Sequence, residues 1–135
     1  MDDPGYQAPN AGETAQIQFI NEMGSEARVL LYEDAKECRN RSVLKPILAP
    51  GASSNTAVAT DRDLAFTMDM QNATIFCIST RSFRPVPGKA YVMRFQETPG
   101  GCTIVGWEDQ RPIALAMRKW IRSWGDGGPF CTPLK

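Results

Sequence analysis

Residues 90–107, AYVMRFQETPGGCTIVGW, decide the fold. Tyr91, Met93 and Phe95 share one face of an extended segment, with Arg94 and Gln96 opposite, which is the two-residue period of a half-buried strand. Thr98-Pro99-Gly100-Gly101 turns the chain, and Cys102 to Trp107 brings it back. Just upstream, Pro87-Gly88 suits the centre of a type II turn, because proline presets φ and glycine accepts the positive φ that follows. This is a β-hairpin entered through a tight turn.

Outward from it, the same pattern recurs about every ten residues. Ile17 and Phe19 alternate with polar neighbours in a strand that begins at Ala15, and Glu22-Met23-Gly24-Ser25 is a turn. Arg28 to Tyr32 (RVLLY) is nearly continuous in apolar character, and the two strands are expected to form a hairpin. Glu33 to Asn40 is a polar exit, and residues 45–54, with Pro46, Pro50 and Gly51, are loop-like. Strands are expected over Thr56–Thr60, Leu64–Met70 and Thr74–Thr80, with Asp61-Arg62 and Gln71-Asn72 between them. In the middle one Leu64, Phe66, Met68 and Met70 lie opposite Ala65, Thr67 and Asp69. Such strands with Gly/Pro turns predict a mainly β protein, an antiparallel β-sandwich of about seven strands. From Pro112 the period changes: Ile113, Met117, Trp120, Ile121 and Trp124 recur at helical spacing, with Gly125 as a stop. A helix over 112–124 is expected, with a last extended strand as the competing reading. Residues 1–14 read as a flexible leader in which only Tyr6 could anchor to a core, and 15–135 as one domain.

The chain has 135 residues, four cysteines and no histidine. Without histidine, Ser-His-Asp, Cys-His and His-Glu-x-x-His chemistry is excluded. Cys38, Cys77, Cys102 and Cys131 are separated by 39, 25 and 29 residues, far from the close pairs of a zinc ribbon. Two disulfides and an oxidising compartment are the better reading, against four reduced thiols or a four-cysteine zinc site. Three pairings are possible. We favour Cys38–Cys77 with Cys102–Cys131, the second stapling the tail after Gly127-Gly128-Pro129 to the last hairpin. An oxidised chain implies an export signal ahead of a mature fragment, with Met1 as an added start.

Lysine plus arginine equals aspartate plus glutamate, at 15 each, so no overall field favours nucleic acid or membrane. Residues 1–80 carry six basic and eleven acidic side chains, while residues 81–122 carry eight basic and three acidic. Acidic and basic strands lying side by side would compensate. Carboxylates cluster at Glu33, Asp34 and Glu37 and at Asp61, Asp63 and Asp69, places where solvation and capping are their usual work. Met68, Met70, Met93 and Met117 read as core filler rather than copper ligands. No enzyme activity, cofactor or metal site is therefore expected. Asn72-Ala73-Thr74 matches the N-glycosylation pattern, a short match that is common by chance. The most suggestive surface is a basic, aromatic stripe of Met117, Arg118, Trp120, Arg122 and Trp124, beside Lys119, with the composition of a partner-binding helix.

Three stretches carry a resemblance: Ile17-Gln18-Phe19-Ile20-Asn21, Val29-Leu30-Leu31-Tyr32, and the Phe-x-Pro-x-Pro-Gly-x-x-Tyr-x-x-x-Phe pattern of Phe83 to Phe95 leading into Cys102. Together they resemble small proteobacterial envelope lipoproteins with a β-sandwich domain. The transthyretin-like lipoprotein of type VI secretion machinery is a related architecture. The resemblance implies a periplasmic, lipid-anchored protein that binds a partner in an envelope assembly, although the lipidated cysteine itself is missing from the sequence. It carries over no catalytic residue. The competing expectation is a secreted or periplasmic inhibitor or immunity-type protein that blocks an enzyme through a disulfide-braced loop, at residues 45–54 or 81–89.

Overall fold

Strand-period alternation becomes burial. In the computed structural model, which describes residues 4–71 and 76–118, Ile17, Phe19, Tyr91, Met93 and Phe95 are all buried in one core. The described residues form ten strands: β1 (Thr14–Glu22), β2 (Ala27–Asp34), β3 (Arg39–Leu48), β4 (Ser53–Ala59), β5 (Leu64–Gln71), β6 (Phe76–Phe83), β7 (Ala90–Thr98), β8 (Gly101–Glu108), β9 (Arg111–Ile113) and β10 (Ala116–Arg118). One five-stranded sheet has the order β4-β1-β7-β8-β9 and the other β10-β6-β5-β2-β3. All ladders are antiparallel except β1 with β7. The sheets share a core in which Phe19 of β1 meets Phe66 of β5 edge-on, with centroids 5.4 Å apart. The protein is thus mainly β and sandwich-like, as its strand pattern predicts, with ten strands where about seven were expected.

The decisive hairpin is present, with Tyr91 opposite Glu108 and Thr98 opposite Gly101. Both turn glycines are left-handed, Gly88 at φ 78° and Gly100 at φ 83°. The type II turn at Pro87-Gly88 closes with Lys89 N donating to Val86 O at 3.2 Å.

Other pairings differ from expectation. Strands β1 and β2 are not a hairpin but lie in different sheets. Met23, 4% exposed, plugs the core at the crossing. The reason lies in RVLLY: Val29 and Leu31 join the central core, Leu30 and Tyr32 are buried on the other face, and β2 pairs with both β3 and β5. A strand apolar on both faces belongs in the middle of a sheet. Strand β3 occupies what read as a polar exit and a loop. It is an edge strand, where Arg39, Arg41, Lys45 and Pro46 are tolerated while Val43, Leu44 and Leu48 are buried.

The expected helix over 112–124 is corrected in its first half, because Arg111–Ile113 and Ala116–Arg118 are strands. Residues 119–124 lie outside the described residues. Short edge strands alongside β8 and β6 satisfy the backbone there, and tertiary pairing outweighs the helix propensity of Ala, Leu and Met.

The favoured cysteine pairing is also overturned, since Cys77 of β6 is bonded to Cys102 of β8, with Cα atoms 6.2 Å apart. Cys77 sits on the core side of its sheet, opposite Met70. Cys38, itself disulfide-bonded, packs with Tyr32, Ala35 and Ala65 on the outer side of that sheet, so it cannot reach Cys77. Cys131 lies outside the described residues. The Cys77–Cys102 bond closes a 25-residue separation, for which chain entropy gives about 3–4 kcal/mol. A Cys77→Ala/Cys102→Ala double variant is expected to lose about that much in urea unfolding. An unchanged midpoint would count against the bond as a brace.

Candidate functional site

A two-sheet fold has two long seams where sheet edges meet water, and the sites sit there. On one seam, β3 and β4 are the edges. Asn21, fully buried at the end of β1, ties this seam together. Its Nδ2 donates to Ser25 O and Leu48 O, and its Oδ1 accepts from Met23 N. Its backbone N donates to Ala52 O, and its carbonyl accepts from Gly51 N.

Tyr6 spans the same seam. Its N–H donates to Val43 O on β3, Val43 N donates to Pro4 O, and its hydroxyl donates to Ala57 O on β4 at 3.0 Å. Part of the stretch read as a loose leader is therefore bonded to both sheet edges. Burial pushes the Tyr6 phenol up from its ordinary pKa, partly offset by Arg62. Residues 7–13 bound a cleft of about 780 Å³, whose other walls include Leu31, Arg41, Val58, Asp61, Arg62 and Leu64.

Strand edges differ in protection. The β3 edge carries the charges and proline named above and meets Gly5 at Val43, while β9 and β10 are three residues long. The β4 sequence SSNTAVA has neither charge nor proline, and it holds seven consecutive register pairs with β1 without a bulge. Gln16 N donates to Lys89 O on the far side of β1. Its β4 partner Ala57 therefore turns its peptide groups away from β1, and by alternation so does Asn55. Among the described residues no strand pairs with this edge. A long, uncharged edge of this kind is a template for another strand.

Three of the carboxylates expected to be ordinary have guanidinium partners. Asp69, buried, pairs with Arg28 at 2.6 Å, Asp61 with Arg62 at 2.9 Å, and Asp63 with Arg84 at 2.8 Å. The last pair, with Arg94–Glu22 at 2.8 Å, joins the basic and acidic segments of the chain. Met68, Met70 and Met93 are core residues. Of the predicted stripe, Met117 is 77% exposed, while Arg118 is buried, donating to Ala35 O at 2.8 Å and Cys38 Sγ at 3.3 Å. Trp120, Arg122 and Trp124 lie outside the described residues. Of the two loops proposed for a blocking role, the first shrinks to residues 49–52 between β3 and β4, and the second to residues 84–89 between β6 and β7. In the second, Val86 is 42% exposed and its N–H donates to the Tyr91 hydroxyl.

Sequence reasoning missed Arg81. It sits on β6 opposite Phe66, on the core side, and is only 8% exposed. The alternation Cys77, Ser79, Arg81, Phe83 carried that signal, but an arginine reads as solvent-facing by default. No family model and no curated protein matches this chain.

Two outcomes test this geometry. Tyr6→Phe removes the hydroxyl bond across the seam and is expected to cost about 1 kcal/mol in unfolding, with faster protease cleavage within residues 4–13. Tyr91, buried and donating to Glu108 Oε2 at 2.7 Å, has its pKa raised from 10.0 to about 12. The folded state thus holds this proton more tightly than the unfolded state. Its stabilising contribution is full below pH 10 and is lost as pH rises toward about 12. Tyr91→Phe should remove that part of the alkaline decline, and identical slopes for the two proteins over this window would contradict it.

Proposed function

We propose that this protein is a non-enzymatic binding domain on the periplasmic side of the bacterial envelope, and that a partner protein docks by adding a strand to β4. The observation that carries this reading is the seven-residue, uncharged, bulge-free outer edge of β4, the least protected edge among the described strands. Backbone groups of Ser53 and Asn55 supply main-chain hydrogen bonds, and the side chains on either side of the strand supply selectivity. The Tyr6 hydroxyl occupies the Ala57 carbonyl, so an added strand engages Ser53 to Thr56 first. The Cys77–Cys102 bond supports an oxidising compartment. Likeness to envelope lipoproteins adds a lipid anchor on a cysteine ahead of this sequence.

A second reading, the enzyme-blocking loop, has one observation in its favour. Exposed Val86 stands on a loop held by Tyr91 Oη and by Gly88 N donating to Thr14 O. One experiment separates the two. A photo-crosslinking residue is placed at Ser53 or at Val86 in the protein expressed in its own cells. Strand addition predicts a discrete adduct from position 53 that disappears in an Asn55→Pro background, because that proline removes an N–H facing away from β1. An adduct from position 86 alone favours the loop. An adduct from position 53 that survives Asn55→Pro overturns strand addition.

A further inference from the structure

The opposite seam runs between β6 and β8. Beyond the Cys77–Cys102 bond it opens into a groove of about 620 Å³, lined by Arg81, Thr103, Ile104, Val105 and Trp107, with Pro112, Ile113, Leu115 and Met117 along the apolar side. Gly106 forms part of its floor, where a Cβ would lie 3.0 Å from Met93 Sδ and 3.1 Å from Leu115 Cδ1. A side chain at 106 would thus press on Met93 and Leu115, whose ends would have to give by a few tenths of an ångström.

Arg81 is the one charged residue among the described groove-lining residues. Its side chain is held in place by Nη1 donating to Thr80 O at 3.1 Å and Nη2 donating to Thr103 Oγ1 at 3.4 Å. Both acceptors are neutral, and a guanidinium has five N–H donors. Arg28, Arg84 and Arg94, by contrast, each face a carboxylate. Burial without an anion pushes the Arg81 guanidinium below its ordinary pKa. A desolvated cation held only by neutral acceptors gains strongly when an anion arrives.

A second donor comes from the strand. Thr98 and Gly101, and Glu108 and Arg111, are the pairs that flank the two-residue turns at either end of β8. By alternation, the Ile104 N–H turns out of the sheet toward the open side rather than toward β7. Strand β9 pairs only with Gly106 to Glu108, so it does not cover this position.

The geometry points to a binding site for a small apolar carboxylate: the carboxylate on Arg81, assisted by Thr103 Oγ1 and the Ile104 N–H, and the apolar tail along Ile113, Leu115 and Met117. Fixed polar donors at one end of an apolar groove are the usual composition of a small-molecule site. An anion without a tail would lack the apolar contact, and a tail without charge would leave Arg81 unneutralised.

The test is an amide and arginine side-chain NMR titration of the full chain with octanoate, acetate and 1-octanol, paired with calorimetry. Octanoate is expected to saturate one site, with shifts at the Arg81 side chain and at the amides of Thr103, Ile104, Gly106, Ile113 and Leu115. Acetate and octanol are expected to bind at least about ten-fold more weakly. Arg81→Gln should weaken octanoate by about ten- to a hundred-fold at an unchanged unfolding midpoint. Should that variant fail to fold, Thr103→Val, half-buried at the groove, serves in its place with a smaller loss. No saturable octanoate binding, shifts centred on the Tyr6 cleft, octanol binding as tightly as octanoate, or undiminished binding by a folded Arg81→Gln variant would each overturn the proposal.

Discussion

Closing the seams is the constraint on which the rest of this structure depends. Two sheets facing each other bury Phe19, Phe66, Met68, Met93 and Phe95 between them, but each sheet also has two edges at which that core would meet water. One seam is closed covalently by Cys77 and Cys102. The other is closed by polar groups whose bonds are fully directed: Asn21 holds the β3–β4 connection, and Tyr6 bonds to one edge through its backbone and to the other through its hydroxyl. Asn21 is economical here because one buried amide side chain and its own peptide satisfy five partners. An apolar residue at that position would leave several buried carbonyl and N–H groups without a bond.

The second sheet is buried on both faces, which shapes where interaction can occur. Along β5, Ala65, Thr67 and Asp69 are as buried as the core residues with which they alternate. Their polar atoms are satisfied within the protein. The Thr67 hydroxyl bonds with Tyr32 at 3.0 Å and Thr80 at 2.7 Å, and Asp69 takes two bonds from Arg28. This polar layer holds β2, β5 and β6 in register. Among the described residues, the outer edge of β4 and the openings of the two seams lie outside this layer. The edge offers backbone groups, and the β6–β8 opening offers a charge.

How legible the molecule was follows from the range of each interaction. Alternation in Tyr91, Met93 and Phe95 and the Pro-Gly turns are local, and both are realised residue by residue. The run Arg28 to Tyr32 held more information than its reading as a hairpin partner used, since continuous apolarity marks a strand paired on both sides. Strand β3 was invisible because an edge strand with four charged or proline positions has the composition of a loop. At Ala116 to Arg118 the helical spacing was real, but pairing with Thr80 to Ser82 decided the conformation. Arg118 then turns inward to Ala35 O rather than forming a basic rim.

The sequence by itself determined the class of structure. Period-two alternation and turn residues specify strands and turns through neighbours a few residues apart, and widely spaced cysteines suit disulfides that brace strands distant in the chain. Which strands share a sheet, which cysteine faces which, and that Arg81 points into a groove were decided only in three dimensions. Each depends on which face of one sheet lies over which face of the other. A strand's period gives its two faces but not their assignment: Cys77 and Cys38 belong to opposite sides of one sheet, and Arg81 shares the side of Phe66. That assignment is settled by the packing of the whole core, to which residues far apart in the chain contribute at once.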